Sequence, residues 1–243
     1  MNYNWNWGVF WAPSPDGAGT YFDMLLAGLQ WTIVTAICSW LIALCLGTVV
    51  GIARTTGSRW MLLAGNAYIE LFRNIPLLVQ LFLWYFVVPE LLPVQLGNWV
   101  KQLTYGAFYT AVIGIGLYMS ARVATQVTAG ISALASGQRM AGLAMGLTKA
   151  QVYRYVLLPQ GFRVILPPLT SEFLNTIKNT SVALTIGLAE LTARARAMQE
   201  FTFQVFEAFI TAAALYVALN IVVTLLMRYI ERRMTVPGLV AGG

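Results

Sequence analysis

Of 243 residues, 58% are hydrophobic and only 10% charged, with a mean hydropathy of +0.69; a soluble domain carries about a quarter charged residues, so this is the composition of an integral membrane protein. The formal net charge of +6 comes from basic residues scattered along the chain, a pattern that argues against nucleic acid as a partner. The sequence contains no histidine, which excludes His-based catalysis and His metal sites.

The chain opens Met1-Asn2-Tyr3-Asn4-Trp5-Asn6-Trp7. It lacks the basic and then apolar regions of a cleavable signal peptide, and its aromatic rings suit a membrane–water interface. A bilayer span takes about 20 largely apolar residues. The first lies between Asp23 and Arg54, an uncharged stretch that also holds Cys38 and Cys45. Seven residues apart on one helix, these cysteines cannot reach each other for a disulfide and read as packing residues. Residues 59–73 predict a helix near the cytoplasmic surface, on which Glu70 and Arg73 are spaced for a structural ion pair. A second, shorter span runs from Arg73 to Pro89. The third runs from Tyr105 past Arg122 toward Ile131.

Between Ser136 and Arg163 the chain is long for a connection yet patterned. Met140, Leu143, Ala144 and Leu147 recur at helical spacing. Gly146-Leu147-Thr148 reads as a break, with Thr148 capping a second short helix, and Pro159 interrupts the run again. Such a basic helix pair reads either as a docking surface or as an amphipathic helix on anionic lipid. The fourth span covers roughly residues 166–188, and the fifth lies between Glu207 and Arg228. Nine basic residues fall on one predicted face (Arg54, Arg59, Arg139, Lys149, Arg154, Arg163, Arg228, Arg232, Arg233) and three on the other (Lys101, Arg194, Arg196). The positive-inside rule predicts the N-terminus outside and the C-terminus in the cytoplasm.

Ionisable groups inside a span are expensive unless paired or lining a polar cavity, at about 2.5–3.5 kcal/mol each on insertion scales. Glu172, Asn175, Thr176 and Asn179 share one helix face, with Lys178 at its edge. Arg122, descending the third span, reaches the level of Glu172. The two form either a structural ion pair or part of a substrate site near the midplane. A net positive site with a guanidinium fork favours glutamate or aspartate over lysine or arginine. Glu172 would take the α-ammonium, and Asn175, Asn179, Thr180 and Ser181 would supply neutral hydrogen bonds. Thr180 and Ser181 have a plainer alternative, bonding back to their own helix.

Gly146, nine residues, then Val156-Leu157-Leu158-Pro159 resembles the signature loop of ABC importer permeases. The flanking "LPQGFR", "ELFRNIPLLVQLFLWYF" at 70–86, "SAR" at 120–122 and "LNTIKNTSVALTIGLAEL" at 174–191 are similar to the polar amino acid uptake family. Within it, "NWNWG" and "VVPELLP" resemble the branch that takes glutamate and aspartate. Two departures stand out. Met140 replaces the signature glutamate, and Arg122 and Thr125 stand where many relatives have a tyrosine and an acid.

The resemblance implies an all-α integral membrane protein of five transmembrane helices, with a helical cytoplasmic coupling loop between the third and fourth. Residues 1–19 would be a periplasmic segment, 20–233 the importer transmembrane domain with its loop at about 136–163, and 234–243 a cytoplasmic tail. It implies a multi-pass permease of the bacterial inner membrane, not an enzyme. No phosphate-loop motif occurs in the sequence, so a dimeric ATPase subunit would hold ATP and Mg and this chain no cofactor. Ala141, Gly142, Gly146, Leu158 and Pro159 would couple the loop to that ATPase. A second permease chain, identical or paralogous, a periplasmic amino-acid-binding protein and membrane lipid complete the implied partners. Glutamine, histidine or arginine are the alternative substrates. An ion-coupled carrier or channel subunit would leave the structured loop unexplained, and a membrane-embedded enzyme would need catalytic residues the sequence lacks.

Overall fold

The computed structural model describes residues 3–15, 17, 19–134 and 136–234. These form helices in chain order: α1 (Tyr21–Ala53), α2 (Arg59–Asn74), α3 (Leu77–Phe82), α4 (Val88–Leu91), α5 (Val94–Lys101), α6 (Gly106–Ser132), α7 (Ser136–Ala144), α8 (Lys149–Val152), α9 (Leu158–Asn179), α10 (Leu191–Thr202) and α11 (Val205–Met234). The all-α expectation holds among the described residues, where the single departure is an isolated bridge between Pro13 and Thr20. Helices α1, α6 and α11 are each long and apolar enough to cross a membrane, and α2 with Leu77–Leu91 adds a fourth if that broken pair is one span.

The stretch expected as the fourth span is built differently. Helix α9 begins earlier, at Leu158, and ends at Asn179; Thr180–Ile186 then winds as a 3-10 helix that stops at Gly187, φ +88°. Arg163, Glu172 and Lys178, with Pro167 and Pro168 inside the helix, keep α9 out of the apolar class. Pro159 does not break the run either. The five residues before Leu158, Tyr153–Leu157, form a π turn, and the helix passes straight through the proline. A second π turn, Leu83–Val87, stands at the same spacing before Pro89. Proline lacks an N–H and its ring collides with the carbonyl four residues back; a π turn at that point widens the helix and relieves the clash.

The chain folds as two compact units. One comprises residues 1–41, 75–116 and 175–221. Its core gathers Val9, Phe10, Met24, Leu25, Leu191, Met198 and Ala208. The α10 end meets α1 closely: Leu191 N–H donates to Thr32 Oγ1 at 3.1 Å, and a Cβ on Gly28 would lie 3.0 Å from Leu191 Cα. Asn6 N–H donates to Glu207 Oε1 at 2.7 Å, and the Tyr3 hydroxyl donates to the same carboxylate, so the first described residues are tied to the start of α11.

The other unit comprises residues 42–74, 117–174 and 222–243. Gly47 and Gly51 let α1 press onto α6: a Cβ at either would sit 2.6 Å from the Cβ of Val123 or Val127. Small residues one turn apart permit this close helix approach in a membrane protein. Ile69, Ala121 and Ala124 add a small core that joins α2 to α6, with the Tyr68 hydroxyl 2.7 Å from Ser120 Oγ. Gly130 admits Ile165 of α9, and Thr170 of α9 donates to Glu231 of α11 at 2.6 Å.

Candidate functional site

Within the second unit, α6 and α9 bring together the two charges expected to matter. Arg122 Nη1 lies 3.5 Å from Glu172 Oε2. A tight charge-assisted bond would measure about 2.7–2.9 Å, so this is a loose pair that leaves guanidinium donors for another carboxylate. Burial is unequal. Glu172 is 11% exposed and Arg122 41%, although its neighbours Ala121 and Val123 are fully buried. One turn back, the Tyr118 ring sits 5.6 Å from the guanidinium carbon and supports it by a cation–π contact. A cation in the middle of α6 is therefore reachable and partly neutralised by one carboxylate. Such a site can clamp an anion and offer a negative partner to an ammonium. Thr125, one turn on from Ala121, turns its hydroxyl back to Ala121 O at 3.0 Å.

The rest of the polar stripe divides. On the last turns of α9, which belong to the first unit, Thr176 is buried, Asn175 and Asn179 are half-buried and Lys178 is exposed. Thr180 and Ser181 fall beyond the α-helix. Their hydroxyls donate to Ile177 O at 2.8 Å and Lys178 O at 2.7 Å, the back-bonded alternative. Glu70 and Arg73 are both exposed near the end of α2 and are not joined by an ion pair among the described residues. An exposed pair at that spacing contributes a few tenths of a kcal/mol, about 0.2–0.5, too little to fix two long side chains.

The loop is built by capping chemistry. Leu147 N–H bonds to Gly142 O and Gly146 N–H to Leu143 O, with Gly146 at φ +86°, a Schellman closure of α7. Thr148 and Gln151 then form a reciprocal capping box that starts α8. The buried face differs from the one the apolar spacing predicts. Met140 and Leu143 are exposed, whereas Gly142 is buried, its missing Cβ leaving 3.0 Å to Val152. Helix α7 is too short to cover a full apolar stripe, so Gly142 serves packing inside the chain. Ala141 and Pro159 are exposed and Leu158 is half-buried.

Two buried carboxylates went unread in the sequence. Glu190 caps α10, accepting N–H groups of Ala193 (2.8 Å) and Thr192 (3.0 Å) and the Tyr216 hydroxyl (2.7 Å). Burial pushes its carboxyl above the ordinary range, while these hydrogen bonds pull the other way. Glu207, also fully buried, anchors Tyr3 and Asn6. An acid directly before Leu191-Thr192-Ala193 was the available signal for the first.

This is a helical membrane chain with a half-exposed intramembrane cation and a capped helical loop. The family model described as "Binding-protein-dependent transport system inner membrane component" matches residues 43–236. The chain is 43% identical to the "Glutamate/aspartate import permease protein GltJ" of Escherichia coli (strain K12), over 100% of both chains. It is 30% identical to the "Probable glutamine ABC transporter permease protein GlnM" of Bacillus subtilis (strain 168), over 88% of this chain and 94% of that one. A solved structure described as "Crystal structure of an amino acid ABC transporter with histidines" superposes with a TM-score of 0.75 at 32% identity, covering 88% of this chain and 95% of the other. The chain belongs to the family of inner-membrane components of binding-protein-dependent transport systems.

Proposed function

We propose that this chain is the permease subunit of an ATP-driven importer of acidic amino acids, glutamate and aspartate. The observation that carries the reading is the half-exposed Arg122 guanidinium, held 3.5 Å from the single carboxylate of Glu172. An incoming side-chain carboxylate binds the free edge of the planar guanidinium fork, and Glu172 takes the α-ammonium. The relative at 43% identity, itself named for glutamate and aspartate, supports this choice.

The chain crosses the inner membrane five times, with the N-terminus in the periplasm and the C-terminus in the cytoplasm. A dimeric ATPase subunit docks on the loop around Ala141, Gly146, Leu158 and Pro159. The exposed Met140, Leu143 and Met145 supply an uncovered apolar face there. A second permease chain and a periplasmic binding protein complete the machine, and ATP with Mg resides on the ATPase. The test is ATP-driven uptake in proteoliposomes holding this chain with its co-purified partners. Labelled glutamate, glutamine, arginine and histidine are compared for wild type and Arg122→Gln. We expect glutamate uptake in wild type, reduced at least about tenfold in the variant by loss of a charge-assisted pair. Glutamate uptake unchanged in Arg122→Gln overturns the clamp; preference for glutamine or arginine overturns the acidic substrate and leaves the family standing.

A further inference from the structure

A second cluster of positive charge lies in the same unit, outside the proposed substrate site. A hollow of about 220 Å³ is lined by Arg54, Thr55, Ser132, Arg139, Tyr153 and Leu157. It carries two guanidinium groups, and no carboxylate lines it among the described residues. Arg54 is fixed in place: its Nε donates to Asn66 Oδ1 at 2.9 Å and an Nη to Thr128 Oγ1 at 3.0 Å. The bare face of Gly65 makes room for its stem, since a Cβ there would lie 2.5 Å from Arg54 Cγ. Both acceptors are neutral, so Arg54 is oriented but its charge is not cancelled. Two of its five N–H donors are used, and the others remain for a ligand. Arg139 forms no ion pair and no hydrogen bond among the described residues. The Tyr153 hydroxyl donates to Thr55 O at 2.6 Å and pins one wall of the hollow.

We infer that this hollow binds a phosphate group, held between the guanidinium groups of Arg54 and Arg139. Guanidinium forks match the several oxygens of a phosphate, and two such forks with no competing acid make a site selective for anions. Position narrows the source. Helix α1 has 33 residues, about 50 Å at 1.5 Å per residue, well beyond the ~30 Å hydrocarbon core. Arg54, just past its end, belongs at headgroup level. A basic pocket between helices at that level suits an anionic lipid headgroup, and free phosphate offers the same chemistry.

The experiment uses the transporter purified with its partner subunits in nanodiscs of phosphatidylcholine, with or without phosphatidylglycerol. Native mass spectrometry counts retained phosphatidylglycerol. A parallel arm titrates inorganic phosphate into the phosphatidylcholine discs and follows the thermal unfolding midpoint. The variants are Arg139→Gln, which removes no hydrogen bond among the described residues, and Arg54→Lys, which keeps the charge but loses the fork. Each arginine is expected to contribute about fivefold in apparent affinity. Arginine-dependent retention of phosphatidylglycerol with no arginine-dependent response to inorganic phosphate assigns the site to lipid; arginine-dependent binding of inorganic phosphate assigns it to the soluble anion. Binding that is equal in wild type and both variants in both arms overturns the proposal. So does loss of the ATPase subunit from Arg139→Gln with lipid and phosphate binding unchanged, which would make the arginine a protein contact.

Discussion

At single residues, the most consequential chemistry is carried by carboxylates and cations held away from water, and Glu190 shows how such a group sets a pH response. Its carboxyl is fully buried at the head of α10 and titrates above its ordinary value because burial disfavours the charged form. The folded state therefore binds a proton that the unfolded chain has released. Stability contributed here is intact below the unfolded value of about 4.3 and declines as pH rises through the raised folded value. Glu190→Gln mimics the protonated form. Thermal unfolding midpoints of the intact transporter from pH 4 upward are expected to favour the variant increasingly until the folded carboxyl is fully ionised. A difference that does not change with pH would show that Glu190 is not titrating in this window. The contrast with Arg122 is instructive: its intramembrane position could be read from one unbroken apolar run, but its 41% exposure could not.

Among the elements, close helix contact depends on glycine where the helices carry most of their apolar residues elsewhere. Gly47→Leu would drive a side chain into Val123 and the Ser120 carbonyl, 2.6 and 2.7 Å from an added Cβ. Overpacking of a filled contact costs about 1–3 kcal/mol, and here one neighbour is backbone that cannot rotate aside. A lower unfolding midpoint and reduced recovery of the purified complex are expected; Leu41→Ala, at an exposed position on the same helix, serves as the control. The capped turn at Gly146-Leu147-Thr148 was legible from sequence because glycine at C′ and threonine at an N-cap are local signals. The passage of the helix through Pro159 was not, because the widening that admits the ring lies in the preceding turn. Nor was the exposed face of α7, since periodicity shows which side chains are apolar and not which find a neighbour.

For the whole molecule, the proposed topology makes a direct prediction about sidedness. Gly137 is exposed with open space for a Cβ, and Gln102 is exposed just after α5. With Cys38 and Cys45 replaced by serine, a cysteine at 137 is expected to react with a membrane-impermeant maleimide only in inside-out vesicles, and one at 102 only in intact spheroplasts. The opposite pattern would invert the orientation, and labelling of both from one side would remove a crossing between them. Composition, spacing and the distribution of basic residues by themselves determined that this is a helical membrane protein, where its apolar runs lie, and which intramembrane charges demand partners. Those properties follow from local solvation and helical periodicity. The tertiary structure decided that Arg122 meets Glu172 at 3.5 Å while staying partly exposed. It decided that Glu190 and Glu207 are buried and satisfied, that Gly142 packs within its own loop, and that Arg54 and Arg139 line one hollow. These depend on residues distant in the chain approaching to within a few ångströms, and no window of sequence fixes such a distance.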